Sequence, residues 1–364
     1  MFILINSFAI DGLMQSDILD VYAFTEAPAD ITPYGTGLIN HTWKVNYKGN
    51  DYILQRINDN VFKQPEDITS NIGLLAAYLK QHHTDYFFVA PVKTMDGKEM
   101  VYQEHKGYFR MFPFVKDSHS KDVVETPAEA YEAAAQFGKF TKLLDGITID
   151  KLKISVPDFH NLSLRYQQFL TALKEGNQNR IKETEGLADE LIAHSSIVTK
   201  YETLLSNNNF KLRVTHHDTK ISNVLFDSNN KGLCVIDLDT VMPGYFISDV
   251  GDMMRTYLSP VSEEEKDFSK IQVREEFYEA IVNGYYNEMK EVLTEIEKHY
   301  FFYAGTFMIY MQAIRFLTDY INDDKYYGSK YPGHNLVRAG NQAVLLQELL
   351  GKKDLLTQII KAQK

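Results

Sequence analysis

The side chains best suited to chemistry in this 364-residue chain are concentrated in one segment, residues 212–244. Within eight positions it carries imidazole, carboxylate, ammonium and amide groups: His216, His217, Asp218, Lys220 and Asn223. A short apolar strand, a turn and a second apolar strand follow, and the second strand leads into Asp237 and Asp239. If the two strands pair as a hairpin, the later acidic residues return to the first cluster.

Such a hairpin would place Asn223 and Asp237 together, where an amide oxygen and a carboxylate suit Mg²⁺. Asp218, five residues before Asn223, would face the same cation from the substrate side. A proton-accepting carboxylate beside a divalent metal is the apparatus of phosphoryl transfer to a hydroxyl. An ordinary polar loop is one alternative. A metal site made of His216, His217 and Asp218 is another, and it is disfavoured because adjacent side chains on an extended backbone diverge.

Composition limits the possible partners and compartment. The chain has 38 Lys and Arg against 49 Asp and Glu, a net charge of −11. This charge predicts no nucleic-acid or anionic-membrane partner. The single cysteine, Cys234, permits no internal disulfide, and we expect it to be a buried, inert thiol in a strand. The N-terminal stretch lacks the basic start of a signal peptide, and the apolar stretch 301–317 contains Arg315 and predicts a buried helix. A cytoplasmic protein is therefore expected.

Periodicity divides the chain into a strand-rich part and a helix-rich part. The first contains a small Gly35-Thr36-Gly37 turn and a hairpin over 41–57 whose Trp43, Val45 and Tyr47 share one face. It also contains a helix over 65–81 and strands over 87–92, 100–103 and 108–114. Thr126, Pro127 and Glu129 then predict the start of a helix with a capping box. Further helices are predicted over 161–175, over 184–205 and from Tyr245 onward. We expect two domains, residues 1–113 and 114–364.

Short motifs spread over residues 37–338 resemble those of the aminoglycoside phosphotransferase-like small-molecule kinases, and within them the N-acetylhexosamine 1-kinase branch. The motifs are GLINHTW, YILQRIN, VFKQPED, VTHHDTKISNVLFD, VIDLDTVMPG, DVGD, IRFLTDY and YPGHNLVR. The resemblance implies an α+β, bilobal protein-kinase-like fold. A small β-rich N-terminal lobe would bind nucleotide, and a larger, mostly α-helical C-terminal lobe would carry the catalytic and acceptor-binding residues.

The resemblance also implies roles for individual residues. Asp218 would orient or deprotonate the acceptor hydroxyl, and Asn223 and Asp237 would hold Mg²⁺. The implied nucleotide-binding residues are two glycines of a phosphate loop, a strand cation and two hinge residues: Gly35, Gly37, Arg56, Phe112 and Phe114. The helix residue expected to pair with Arg56 is Ser70 here, which leaves Glu66 or Asp67 as candidate partners.

Acceptor-binding residues are implied less sharply, and the candidates are His41, Arg315, Tyr326 and Asp239. An ion pair with Asp319 is the alternative for Arg315, because a buried guanidinium requires a partner. Asp239 could equally be a second metal ligand or an exposed turn residue. We expect His216 to brace the catalytic loop, with Asp249 as a hydrogen-bond acceptor or as a helix cap.

The resemblance predicts an ATP-dependent kinase with Mg²⁺ as cofactor. Its acceptor would be the anomeric hydroxyl of an N-acetylhexosamine such as GlcNAc or GalNAc. Its partners would be these small molecules, with no nucleic acid and no membrane. The alternatives are a kinase of the same fold for choline, homoserine, an aminoglycoside or another sugar, and a pseudokinase-like protein that binds nucleotide without turnover.

Overall fold

The computed structural model describes residues 18–26, 30–35 and 39–361. Gly37 and the N-terminal stretch assessed as a signal peptide lie outside these residues. Contacts divide the chain into two compact units. The N-terminal unit contains the described residues up to Ser118 together with Leu152–Ser155, and the C-terminal unit contains His119–Lys151 and the chain from Val156 onward.

The N-terminal unit is built on a five-stranded antiparallel sheet with strand order β1-β2-β3-β5-β4. Its strands are β1 (Asp30–Pro33), β2 (His41–Tyr47), β3 (Asn50–Ile57), β4 (Val101–Gln103) and β5 (Gly107–Pro113). The predicted hairpin is confirmed as β2–β3. Its turn residues Lys48 and Gly49 have φ values of 49° and 78°, the left-handed geometry that matches the twist of a two-residue hairpin.

One face of this sheet carries the core of the unit. Trp43, Val45 and Tyr47 alternate into it as the sequence predicted, beside Leu54 and Met111. The unit's helix, α1 (Pro65–His82), buries the apolar stripe that its periodicity predicts.

The strand predicted over 87–92 is wrong, because this segment has no regular structure. Pro91 lacks an amide hydrogen and interrupts any ladder. One backbone hydrogen bond joins this segment to β5: the Val92 amide donates to the Met111 carbonyl at 2.7 Å. The segment therefore lies against β5 without extending the sheet.

The C-terminal unit is mainly helical. Its helices are α2 (Pro127–Leu143), α3 (Leu162–Glu175), α4 (Gln178–Glu183), α5 (Glu185–Ala193), α6 (Ser196–Leu205), α7 (Phe246–Tyr257), α8 (Glu275–Met289), α9 (Phe301–Ile321), α10 (His334–Gly351) and α11 (Lys353–Lys361). The capping box at the start of α2 is confirmed: the Thr126 hydroxyl accepts the Glu129 amide, and the Glu129 carboxylate accepts the Thr126 amide. The α+β fold class is also confirmed.

The continuous helix predicted over 184–205 is wrong, because the chain breaks there into α5 and α6. At the break, the amides of His194 and Ser195 bond three residues back, to Leu191 and Ile192. These tighter turns interrupt the α-helical ladder. The segment therefore forms two short helices.

Helix α9 is the buried centre of the unit and packs against α3, α7 and α10. Its burial confirms the interpretation of the apolar stretch 301–317. Among the described residues, no helix is both long and apolar enough to cross a membrane.

Two small antiparallel pairs complete the C-terminal unit and carry the motif residues. β6 (Arg213–Thr215) pairs with β9 (Met242–Gly244), and β7 (Val224–Phe226) pairs with β8 (Gly232–Val235). Cys234 is fully buried in β8, and burial raises the pKa of its thiol to about 12, which confirms an inert packing residue.

Candidate active site

The loop that follows β6, residues 216–220, is held by its backbone from helix α7. The Asp249 carboxylate accepts the amides of His216 and His217 at 3.0 and 2.8 Å. Asp252, one turn further on, accepts the Thr219 amide at 2.8 Å. These contacts fix the loop on both sides of Asp218 without using the Asp218 side chain.

The carboxylate of Asp249 has an unusual environment because it is completely buried. Burial raises its pKa to about 7, although the two loop amides that it accepts act in the opposite direction. Asp249 thus supports the loop as the sequence predicted. It does so through backbone amides, and the imidazole of His216 instead contacts the Ile236 carbonyl at 2.9 Å.

Gly244 of β9 leaves the space that the loop occupies. A Cβ atom at this position would lie 2.2 Å from Thr215 Oγ1 and 2.4 Å from His217 Nε2. Both distances are too short for non-bonded atoms, so only glycine fits without a shift of these side chains. His217 itself has a φ of 66°, a left-handed conformation that is uncommon outside glycine.

Asp218 carries a half-buried carboxylate on this loop, and two neighbours contact it. The Asn223 side-chain amide donates to Asp218 Oδ2 at 3.0 Å, and Lys220 Nζ lies 3.2 Å from the same oxygen. Burial lowers the pKa of Lys220, but the carboxylates of Asp218 and Asp237 more than reverse this and raise it. The arrangement is an acidic group flanked by a firmly protonated ammonium.

The predicted hairpin is confirmed by the β7–β8 pair, in which Val224 faces Val235. Beyond it, the Ile236 amide donates to the backbone carbonyl of Asn223 at 2.9 Å. Asp237 follows directly, with a φ of 59°. Strained, left-handed residues of this kind are typical of sites where backbone geometry serves function.

The side-chain oxygens of Asn223 and Asp237 are suited to bind a hard cation. The Asn223 amide oxygen accepts no hydrogen bond from the described part of the chain, and the Asp237 side chain is exposed. Carboxylate and amide oxygens are ligands of Mg²⁺, which binds through few protein groups.

The alternative site of His216, His217 and Asp218 is wrong for the described residues, because no cluster of three or more His, Cys, Asp or Glu side chains there could hold a metal. The His217 ring nitrogens contact Thr215 and Thr240, and burial lowers its pKa to about 4.

A cavity of about 800 Å³ opens in the same unit, lined by α3, the C-terminal half of α9 and the following loop. Arg315 and Tyr326, both predicted acceptor-binding residues, line it. The Arg315 guanidinium lies 5.9 Å from the ring centres of Phe159 and Tyr326 and 5.4 Å from that of Tyr327.

The predicted alternative partner of Arg315 is wrong. Asp319 accepts the backbone amides of Tyr326 and Tyr327 at 2.7 and 2.9 Å, and the side-chain amide of Asn335 at 3.1 Å. Its carboxylate therefore shapes the loop that follows α9. The charges that act on it are those of Asp324 and Arg338, and no ion pair joins it to Arg315.

Phe159 connects this cavity with the catalytic loop. Its ring centre lies 6.4 Å from that of His217, and it stacks on His160, whose ring lies 5.3 Å from His217. One aromatic side chain therefore contacts both the loop that carries Asp218 and the guanidinium of Arg315.

Asp239 is almost completely buried, with 2% of its surface exposed, so its interpretation as an exposed turn residue is wrong. His41 is exposed and stacks on Trp43 with ring centres 6.1 Å apart. Neither position is by itself evidence for acceptor binding.

The predicted nucleotide-binding residues lie in the N-terminal unit. Gly35 has a φ of 76°, a conformation that glycine adopts without strain. Phe112 lies within β5, and the Phe114 ring contacts Tyr34, with centres 5.8 Å apart, and the Lys44 ammonium, at 4.2 Å.

Arg56 has no ion-pair partner among the described residues, and Glu66 instead contacts the Tyr108 hydroxyl. Gln55 directly precedes Arg56 and therefore lies on the opposite face of β3. There Gln55 accepts two bonds from the buried guanidinium of Arg110, at 3.1 and 2.9 Å.

Sequence reasoning assigned no role to four residues near these sites: Lys220, Asp252, Arg165 and Phe159. Lys220 was part of the polar cluster, and its two-residue spacing from Asp218 keeps it on the same short loop. Asp252 could also have been found, since its three-residue spacing from Asp249 places both on one face of a helix. Arg165 and Phe159 carry no local signal, because only the packing of α3 against α9 brings them to Arg315.

The two units and the loop geometry define a class of protein, a kinase-like phosphotransferase with a small sheet-based part and a larger helical part. The sequence matches the phosphotransferase enzyme family (APH) over residues 30–293, and the chain belongs to that family.

Solved structures with the same fold include an aminoglycoside phosphotransferase from Alicyclobacillus acidocaldarius. It is 13% identical, with a TM-score of 0.62 over 94% of this chain and 96% of that one. A microcompartment-associated aminopropanol kinase is 16% identical, with a TM-score of 0.65 over 95% and 99%. An amicoumacin kinase, solved with AMP-PNP and Ca²⁺, is 14% identical, with a TM-score of 0.59 over 92% and 93%.

Proposed function

We propose that this protein is an ATP-dependent kinase that transfers the γ-phosphoryl group to a hydroxyl of a small sugar. The observation that carries this proposal is the carboxylate of Asp218, contacted by Lys220 and Asn223 on a loop whose backbone α7 holds. A partly accessible carboxylate on a loop held by its backbone, next to a cation, is suited to align and deprotonate a hydroxyl.

The chain's own residues would act mainly by positioning and electrostatics. Asp218 Oδ1 or Oδ2 would accept the hydroxyl proton as the oxygen attacks phosphorus, and the Lys220 ammonium would stabilise negative charge on the phosphoryl oxygens. Asn223 and Asp237 would hold Mg²⁺, which, when bound, neutralises charge on the nucleotide phosphates.

ATP would be bound by the residues that the family resemblance implies in the N-terminal unit. Gly35 and Gly37 would let backbone amides approach the phosphates. Arg56 would bind phosphate oxygens, and Phe112 and Phe114 would line the adenine site. The absence of an ion-pair partner for Arg56 among the described residues is compatible with a role in which phosphate is the partner.

For the acceptor we propose an N-acetylhexosamine, phosphorylated on its anomeric hydroxyl. Arg315 beside Tyr326 and Tyr327 supports a sugar, since such sites combine aromatic surface with a few directional donors. His41 and Asp239 remain proposed contacts. Choline or aminoglycoside acceptors fit less well, because the cavity presents two guanidiniums, those of Arg165 and Arg315. A pseudokinase-like protein would not require the set Asp218, Asn223 and Asp237.

An ADP-release assay with GlcNAc, GalNAc, glucose, galactose, choline and homoserine tests this function. We expect turnover with the hexosamines and a loss of kcat of about 10²–10⁴-fold in Asp218→Asn, with nucleotide binding retained. Near-normal activity of Asp218→Asn would exclude Asp218 as the base. Preferential turnover of choline would overturn the sugar assignment, and ATP binding without any turnover would favour the pseudokinase.

A further inference from the structure

The cavity lined by α3, α9 and the loop after α9 contains a positive charge, on Arg315, that no carboxylate of the described residues pairs with. Arg315 has only 7% of its surface exposed. Among the described residues it makes no hydrogen bond and no ion pair, and its neighbours are the rings of Phe159, Tyr326 and Tyr327. Because Arg315 lines the cavity, its donors are open to water or to a ligand bound there.

A second guanidinium faces the same cavity. Arg165 of α3 binds only neutral oxygens, the Gln168 side chain at 3.1 Å and the Asp158 carbonyl at 2.9 Å. Its Nε is buried without a partner. Burial and the nearby charge of Arg315 both lower the pKa of Arg165, and the charge of Asp158 reverses this only in part.

The acidic residues of the cavity do not compensate this charge. The Asp319 carboxylate is occupied by two backbone amides and an Asn335 amide, and burial raises its pKa. Glu175 is exposed at the cavity rim, and Lys325 adds a further cation to the lining. The interior therefore has an excess of positive charge.

We propose that this cavity binds a carboxylate or phosphate group of the acceptor, so that the acceptor is a sugar carrying an acidic group besides the hydroxyl that reacts. Arg165 and Arg315 bind the anion, and guanidiniums are suited to such groups because they donate two parallel hydrogen bonds. Tyr326 and Tyr327 provide aromatic surface in the cavity, and Phe159 packs against Arg315. The proposal rests on the function proposed above and names the substrate class of the same site.

The position of Phe159 explains how one molecule can reach both places. Its ring lies beside His217 on one side and beside Arg315 on the other, 6.4 and 5.9 Å away. A sugar with its acidic group on the two arginines would pack along this ring toward the loop that carries Asp218.

The test compares N-acetylglucosamine, N-acetylglucosamine 6-phosphate and glucuronate as acceptors. ADP release gives kcat and KM, and calorimetric titration gives the affinity of each sugar without ATP. We expect both acids to be preferred over N-acetylglucosamine by about 10- to 100-fold in kcat/KM, because hydrogen bonds to charged groups are the strong ones. A preference for only one acid would tell carboxylate from phosphate.

Variants separate the cavity from general effects on the protein. Arg165→Gln and Arg315→Met should raise KM for the acids at least tenfold more than they raise KM for neutral N-acetylglucosamine. Because Arg315→Met could also disturb folding, melting curves of this variant are recorded. Arg315→Lys is measured beside it and should recover part of the affinity for the acidic sugars. Lys174→Gln removes an exposed cation of α3 outside the cavity and should change nothing.

The outcomes distinguish this inference from the proposed function. If neutral sugars are phosphorylated at least as well as acids and Arg165→Gln has no effect, the anion site is wrong and the sugar kinase stands. If no sugar is phosphorylated, the proposed function fails. Calorimetry without ATP then tests the anion site by itself. Binding of the acidic sugars that Arg315→Met abolishes supports the site, and an absence of binding overturns it.

Discussion

At the scale of single residues, Lys220 is the group whose charge the proposed reaction depends on most directly. Its ammonium lies 3.2 Å from the Asp218 carboxylate, and its pKa is raised by Asp218 and Asp237 despite burial. Lys220→Met should lower kcat by about 10²–10³-fold, the usual effect of removing one stabilising donor, while KM for the acceptor changes little. Steady-state ADP release measures both constants.

The matched control for this prediction is Lys231→Met. Lys231 lies on the turn of the β7–β8 hairpin, which follows the loop that carries Lys220. Its exposed ammonium contacts Glu132 at 2.6 Å. Its loss should leave kcat within a factor of two, because exposed ion pairs contribute little. Equal losses in both variants would show that Lys220 acts on the stability of the hairpin and has no direct part in the reaction.

His217 makes the stability of the catalytic loop depend on pH. Burial lowers its pKa to about 4, so the folded protein keeps it neutral while the unfolded chain protonates it below about 6.5. The unfolded state then binds more protons, and the contribution of His217 is complete above pH 6.5 and is lost as the pH falls toward 4. The loss is at most about 3 kcal/mol.

His217→Asn tests this dependence, because Asn tolerates the left-handed backbone at this position. Urea titrations at pH 7, 6, 5 and 4 give the unfolding free energies of wild type and variant. As the pH falls, the variant should become steadily more stable relative to wild type. Asp249 gains its proton in both proteins and cancels in the comparison. The control is His105→Asn, which has a similar φ of 63° but an exposed side chain, and an equal pH dependence in both variants would show that burial of His217 is not its cause.

At the scale of elements, the approach of β9 to the catalytic loop depends on one glycine. Gly244→Ala would place a Cβ atom 2.2 Å from Thr215 Oγ1 and 2.4 Å from His217 Nε2. Relief of this overlap must move the loop, so we expect a loss of about 1–3 kcal/mol in stability and a fall in kcat of at least tenfold. Thermal unfolding and ADP release check the two effects.

Gly186→Ala is the control for this substitution. No atom lies within 4 Å of a Cβ at Gly186, which is in α5. Alanine there should leave kcat unchanged and stabilise the protein by several tenths of a kcal/mol. If Gly244→Ala behaved like Gly186→Ala, close packing of β9 would not be what positions the loop.

Elements with a strong local signal were predictable from the sequence. The alternation of Trp43, Val45 and Tyr47 gave the β2–β3 hairpin, and the Thr126–Glu129 capping box gave the start of α2. The segment 87–92 was mistaken for a strand because its composition resembles one, whereas a single proline decides its structure. Residue propensities describe only the local chain. They do not show that Pro91 removes a hydrogen bond that pairing with another strand would need.

At the scale of the whole molecule, the catalytic loop was predictable because its residues are close in sequence. Asp218, Asn223 and Asp237 are joined by one loop and one hairpin, so short-range rules are sufficient. The acceptor cavity was only partly predictable. Arg315 stood out as the charge in an apolar helix, but Arg165 and Phe159 reach it through the packing of α3 and α9, which no local pattern encodes. The division at residue 113 stays a prediction.

Nucleotide and metal binding should appear in the thermal stability of the entire protein, because a ligand that binds only the folded state stabilises it by mass action. At a hundredfold excess over its Kd, MgATP would add about 2.7 kcal/mol. We expect a melting point several degrees higher with MgATP, and a smaller rise when EDTA removes the metal. Asp237→Asn should show the smaller rise under both conditions, whereas Asp150→Asn, an exposed aspartate of the same unit, should behave as wild type. A rise in wild type that EDTA does not reduce would contradict Asn223 and Asp237 as metal ligands, since their contribution to nucleotide binding exists only through the cation.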